Sequence, residues 1–180
     1  MIFDNTFNTG DIIAFLGLIA VIVGGFFSLY QYNKTTKLKR ADYINDLTEK
    51  IRTDNDISSI IYKIEYGIEW YNDYFHGSGE LERQVDKTLS YFSYICYLKK
   101  QKIISDREFK FFKYEVDRIL MNEDVIQYFY NLYHFARKFS DPMTFQYLFE
   151  YGEEMNIFDK EFYDKDSCKI GKKYHKRINI

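Results

Sequence analysis

The sequence has little proline and little cysteine: its 180 residues include one Pro and two Cys. The two cysteines, Cys96 and Cys168, are too few for a disulfide framework or a zinc site, so we expect free thiols. The sequence also contains no Gly-rich phosphate loop, no HExxH and no Cys pair at metal-binding spacing. We therefore expect no metal and no other cofactor, and we assign no catalytic residue.

Charge is absent from one long stretch near the N-terminus. Residues 12–33 carry no charged side chain, and Lys34, Lys37 and Arg40 follow closely. At about 1.5 Å per residue the stretch extends roughly 33 Å, enough to cross the roughly 30 Å hydrocarbon core of a bilayer. A buried helix of a soluble protein is one alternative. A cleavable signal peptide is the other, and it fits poorly because no Lys or Arg precedes the stretch.

The basic border predicts the topology. By the positive-inside rule, the chain after the span lies in the cytoplasm and the N-terminus lies outside. This gives four predicted segments: a short extracytoplasmic N-terminus (1–10), a transmembrane helix (11–33), a cytoplasmic helical bundle with a stalk helix (34–154), and a polar, basic C-terminal tail (155–180).

Apolar residues after the span recur every three to four positions, which predicts helices. Polar residues at Thr53–Asp56 suggest a break, and the apolar residues from Ile57 to Tyr71 then predict a helix of about five turns. Residues 81–96 show the same spacing. No stretch alternates with a period of two for long, so the predicted fold class is all-α.

Capping signals mark the remaining helices. Ser105 and Glu108 fit a capping box, and Asn122 can cap the helix after it. Ser140-Asp141-Pro142 predicts another start, with Pro142 at the first helical position of a last helix from about Met143 to Glu154.

Two groups of polar residues are candidate sites. On one face of a predicted helix, Asn131, His134 and Arg137 could form a polar cluster, although a surface or structural role is more common. The tail after Ser167 is basic and without acidic residues, which is typical of a solvated end. Contact with anionic lipid or RNA phosphates is the alternative, through Lys169, Lys172, Lys173, Lys176 and Arg177.

The short N-terminus, the span with its border KTTKLKR (34–40) and the aromatic segment YFSYICYLKKQKIISDREF (91–109) resemble a known family. That family comprises the small membrane-anchored accessory proteins of type VI-B CRISPR systems, which are divergent members of the HEPN group of helical bundles. The resemblance implies a HEPN-like bundle on a single-pass protein of the bacterial inner membrane. It also implies functional coupling to an RNA-guided, RNA-cleaving effector.

The resemblance further implies a homo-oligomeric ring whose spans form a pore, which would strengthen antiviral defence by depolarising the membrane. Small residues in the span would let helices approach closely: Gly17, Ala20, Gly24 and Gly25. Lipid-facing glycines are the alternative. Charged residues would lie at the mouths, with Asp11 outside and Lys34, Lys37 and Arg40 inside.

Many HEPN proteins are ribonucleases that use an Arg, then four to six intervening residues, then a His. No Arg precedes a His at that spacing here, and the closest segment, 71–76, has Tyr71 in the Arg position. We therefore expect no enzyme activity. Two alternatives remain: a membrane-tethered HEPN-type ribonuclease using His76 or His134, and a non-catalytic membrane tether for the effector.

Overall fold

The computed structural model describes residues 9–77, 79–169 and 173–178, and these residues form helices and loops without a strand. In this part of the chain there are six α-helices and two 3₁₀ turns. The helices are α1 (Thr9–Thr53), α2 (Asn55–Glu65), α3 (Glu80–Lys100), α4 (Asp106–Met121), α5 (Glu123–Phe139) and α6 (Gln146–Glu154). The 3₁₀ turns are Lys160–Tyr163 and Lys165–Cys168. The all-α prediction is confirmed for the described residues.

The chain divides into two compact units, residues 1–47 and residues 48–180. The described part of the first unit is residues 9–47 of α1, which comprise the apolar stretch and the charged residues after it. Its most apolar stretch has a mean hydropathy of 2.7, and 0% of that stretch is buried. By length and composition, α1 is able to cross a membrane.

The second unit, which we call the helical domain, begins with the last residues of α1. The helix breaks at Asp54, so the break expected at Thr53–Asp56 is confirmed. The Asp54 carboxylate accepts hydrogen bonds from the backbone N–H groups of Asp56 and Ile57, at 3.1 and 3.4 Å. Lys87 of α3 lies 2.8 Å from both the Asp54 and the Asp56 carboxylates. The first turn of α2 is thereby joined to α3.

Helix α2 is shorter than predicted. It ends at Glu65, so the expectation of about five turns through Tyr71 is wrong. The physical reason is a turn at Gly67, whose φ of 61° lies in the left-handed region that favours glycine. The chain then buries Trp70, Tyr71 and Phe75 as an irregular segment, and all three rings contact the Tyr128 ring of α5.

The two capping predictions for α4 and α5 are confirmed. Ser105 and Glu108 form a capping box at the start of α4. Asn122 ends α4 and caps α5, where its side chain accepts a hydrogen bond from Val125 N–H at 3.1 Å. The first cap fixes where the chain enters α4 after α3, and the second fixes where it enters α5 after α4.

The start of the last helix differs from the prediction. Pro142 is not its first helical residue, because α6 begins only at Gln146. Ser140 and Asp141 instead cap the C-terminal end of α5. Ser140 has a left-handed backbone conformation (φ 57°), and the Asp141 N–H donates to the Ala136 carbonyl at 2.9 Å. Helix α6 packs on α3, where Leu148 N–H lies 3.4 Å from Ser93 Oγ.

Candidate functional site

A cleft of about 800 Å³ opens beside the C-terminal half of α5. One wall is α5 itself, another is formed by the two 3₁₀ turns, and Lys176 contributes from the C-terminal segment. We call this the α5 cleft. All of its lining residues belong to the helical domain. They come from three separate stretches of the sequence.

Aspartate caps shape the wall formed by the 3₁₀ turns. Asp159 accepts from Phe162 N–H at 2.9 Å, and Asp164 accepts from Asp166 N–H at 2.9 Å. Phe162 is fully buried between these caps. The short turns therefore hold their positions through local hydrogen bonds and one buried ring, which fixes the residues that face the cleft.

The C-terminal segment packs against α5 near the cleft. Tyr174 is 1% exposed, and its ring stacks on that of Tyr130 with centroids 4.6 Å apart and planes 9° apart. The Tyr130 hydroxyl donates toward the carbonyls of Asp164 and Lys165, at 3.2 Å each. Burial is the main cause that raises the pKa of Tyr130, so this hydroxyl stays protonated.

His134 is the buried polar residue of the α5 cleft. Its Nε2 lies 3.0 Å from the Phe162 carbonyl oxygen, and a carbonyl can only accept, so Nε2 carries the proton. Burial lowers the pKa of His134 below its usual value, and the Phe162 carbonyl opposes this shift only in part. The imidazole is therefore neutral at pH 7, with Nδ1 as a hydrogen-bond acceptor.

Basic side chains dominate the charged lining of the cleft: Arg137, Lys138, Lys165 and Lys176. Two carboxylates lie beside them. Asp164 is engaged as the cap of the second 3₁₀ turn, and Asp166 pairs with Lys169 at 3.3 Å. The lining thus has two more basic than acidic side chains, and both of the acidic ones have other partners.

The three residues of the predicted polar cluster have separate partners. Arg137 donates to the Tyr133 hydroxyl at 2.7 Å, while His134 bonds to Phe162. Asn131 is fully buried and lines no part of the cleft; its amide donates to the carbonyls of Gln127 and His175 and accepts from the Arg177 N–H. His134 and Arg137 share the cleft, whereas Asn131 holds the C-terminal segment.

The predicted basic tail is partly packed rather than solvated throughout. Lys173 pairs with Asp159 at 2.6 Å, and Arg177 pairs with Asp73 at 3.2 Å while lying over the Tyr71 ring. Lys176 lines the cleft, as described above. Lys172 lies outside the described residues.

The predicted pore residues all belong to α1. A Cβ added at Gly17, Gly24 or Gly25 would meet no heavy atom within 4 Å. Ala20 and the border residues Lys34, Lys37 and Arg40 are exposed. The side chain of Asp11 lies outside the described residues.

His76, the other histidine considered for acid/base chemistry, is engaged through both ring nitrogens. Its Nδ1 lies 3.0 Å from a Glu82 carboxylate oxygen, and its Nε2 lies 3.1 Å from the buried Tyr71 hydroxyl. Glu82 also accepts from Gly77 N–H at 3.0 Å. These contacts tie the segment after α2 to the first turn of α3, which is a structural role.

Sequence reasoning missed most of the α5 cleft. Tyr163, Lys165 and Cys168 lie about 30 residues after His134, and no local spacing links them to α5. The only available signal was the pair His134 and Arg137 on one helix face. Within the described residues, no group of three or more His, Cys, Asp or Glu side chains could hold a metal ion.

Comparison with models of protein families, with curated proteins and with solved structures gives no match to this chain.

Proposed function

We propose that this chain is a single-span membrane protein that assembles through α1 into a pore. The observation that carries the proposal is the apolar stretch of α1, which is uncharged from residue 12 to residue 33 and 0% buried at its most apolar part. Exposed apolar surface on this scale needs a bilayer or a partner, because soluble monomers rarely expose large contiguous apolar patches. The basic border then directs the helical domain to the cytoplasm.

Two competing explanations of α1 fit the same observation less well. The core helix of a soluble protein would be covered by its own domain, whereas this stretch has no buried part. A signal peptide would carry its positive charges ahead of the apolar run, whereas here Lys34, Lys37 and Arg40 follow it.

Small residues give the span a surface on which copies can pack. At about 100° per residue, Gly17, Ala20 and Gly24 fall within roughly 60° of one another on the helix. A stripe of small side chains allows close backbone approach between membrane helices. Because the span has no charge, a ring of such helices would form a hydrophobic constriction that gates by dewetting, with Asp11 and the basic border at its two mouths.

The resemblance to the type VI-B accessory family supplies the biological setting. In this proposal, opening of the pore during infection dissipates the membrane potential, halts phage growth and so strengthens defence by the RNA-guided effector. The role requires no catalysis by the helical domain. It requires self-association in the bilayer and coupling to the effector.

The test is the mass of the particle solubilised in mild detergent, measured by size-exclusion chromatography with light scattering. We expect a homogeneous oligomer for the natural chain and a shift to monomer for Gly17→Leu/Gly24→Leu. Ile22→Phe is the control, because it adds bulk on the opposite side of the helix. A monomeric natural chain would overturn the pore proposal. So would cells that keep their full membrane potential after phage RNA is recognised and are still protected.

A further inference from the structure

The α5 cleft takes no part in the proposed pore, and its chemistry points to a ligand of its own. Its volume of about 800 Å³ lies within the range of roughly 300–1,000 Å³ that is usual for small-molecule sites. An inorganic ion would leave most of this space unfilled. The size favours a ligand that has both a body and a charged group.

The charges of the cleft select an anion. Arg137 and Lys138 come from the last turn of α5, Lys165 from the second 3₁₀ turn and Lys176 from the C-terminal segment. Like charges gathered on one surface repel one another, so bringing them together from three segments disfavours the empty state. Arg137 keeps guanidinium N–H groups beyond the one bonded to Tyr133, and such groups suit phosphate oxygens.

The inner part of the cleft suits a different kind of group. Tyr163 contributes an exposed aromatic side chain to the lining, and the buried, neutral His134 offers Nδ1 as an acceptor. Aromatic side chains provide stacking and apolar contact for planar rings. A neutral imidazole acceptor suits a hydroxyl or amine donor and gives an anion nothing to bind. The cleft therefore combines a basic rim with a polar aromatic interior.

We propose that the α5 cleft binds a nucleoside phosphate. Its phosphate would pair with Arg137, Lys138 and Lys165, while the sugar hydroxyls and the base would occupy the interior near His134 and Tyr163. The proposal is independent of the pore, since it concerns the helical domain alone.

Isothermal titration calorimetry on the full chain in detergent micelles, at 0.15 M salt, tests the proposal. The probes are ATP, GTP, CTP and UTP, with the four corresponding unphosphorylated nucleosides and inorganic phosphate as comparisons. We expect at least one nucleotide to bind, and its nucleoside and inorganic phosphate each to bind at least tenfold more weakly, because each fills one part of the site.

Charge-removing variants locate the binding. Lys138→Gln/Lys165→Gln changes two exposed side chains of the cleft, and we expect it to weaken nucleotide binding at least tenfold without altering the circular dichroism spectrum. The matched control is Lys110→Gln on α4, an exposed lysine that lines no part of the cleft, and it should leave the affinity unchanged.

Three results would overturn the proposal. One is the absence of binding by all four nucleotides at millimolar concentration. The second is an affinity that the double variant leaves unchanged, which would place the nucleotide elsewhere. The third is cleft-dependent binding of a single-stranded RNA oligomer without binding of any nucleotide, which would assign the basic rim to a polymer.

Discussion

Aromatic side chains carry much of the packing at the scale of single residues. The sequence has 18 Tyr and 17 Phe, and several of them form a continuous cluster at the C-terminal end of the domain. The Phe158 ring lies 4.8 Å from that of Phe149 and 4.5 Å from that of Phe162, between centroids. Rings packed on several sides cannot shift without moving their neighbours, so a residue whose backbone lies against them must have a small side chain or none.

Gly152 on α6 is the residue that makes room for this cluster. A Cβ at this position would stand 2.8 Å from Phe158 Cε2 and 3.2 Å from Leu120 Cδ2. We expect Gly152→Ala to destabilise the domain by about 1 kcal/mol. The overpacking costs about 1–3 kcal/mol, and the better helix propensity of Ala offsets up to about 1 kcal/mol of it.

Thermal and urea unfolding of the full chain in detergent, followed by circular dichroism, measures the effect of Gly152→Ala. Gly10→Ala is the control, because a Cβ there meets no atom within 4 Å and Gly10 is not one of the small residues expected to pack in the span. A variant at Gly152 as stable as the natural protein would mean that the Phe158 ring yields easily, contrary to the packing described.

At the scale of elements, local signals predicted the helices well where a cap defines their ends. Asp54, Ser105 and Asn122 each satisfy backbone N–H groups a few residues away, and a short-range hydrogen bond of this kind is visible in the sequence. The apolar periodicity of α3, α4 and α5 was equally visible, because one face of each helix is buried in the core.

Elements set by distant contacts could not be predicted in this way. Residues 66–77 leave the helical conformation because Trp70, Tyr71 and Phe75 bury their rings against Tyr128, more than 50 positions away. The same applies to the α5 cleft, whose second wall comes from the 3₁₀ turns. Periodicity describes one helix face at a time and carries no information on which distant segment will cover it.

The C-terminal segment is held to α5 by another such contact, through Asn131. The buried amide bonds to the carbonyl of His175 at 2.9 Å and to the N–H of Arg177 at 2.8 Å. We expect Asn131→Leu to release residues 173–178, because it removes the hydrogen bonds to these backbone groups, at a cost of about 0.5–1.5 kcal/mol for each hydrogen bond lost.

Hydrogen exchange followed by mass spectrometry measures this release, as faster exchange of the Arg177 and Ile178 amides. Lys110→Gln serves again as the control. Unchanged protection of both amides in Asn131→Leu would show that Tyr174, stacked on Tyr130, is sufficient to hold the segment. Faster exchange confined to the Arg177 and Ile178 amides would show that the Asn131 side chain holds the C-terminal segment against α5.

At the scale of the whole molecule, the two units differ in what they need from their surroundings. The helical domain buries its own core, including Trp70, Phe92 and Phe129. The apolar part of α1 buries none of its most apolar stretch. Self-association is therefore expected to depend on α1, and the pore and tether functions make opposite predictions about its sequence.

Replacing residues 12–33 with an unrelated polyleucine span separates these two functions. Such a span still inserts into the membrane, since about 20 apolar residues suffice. It lacks the small-residue stripe, so we expect the solubilised protein to become monomeric and the cells to lose both depolarisation and protection. The matched control restores four small residues in the polyleucine span, at the positions of Gly17, Ala20, Gly24 and Gly25, and should recover the oligomer. Protection that survives the replacement would identify the chain as a tether, because a tether requires only that the span stay in the bilayer.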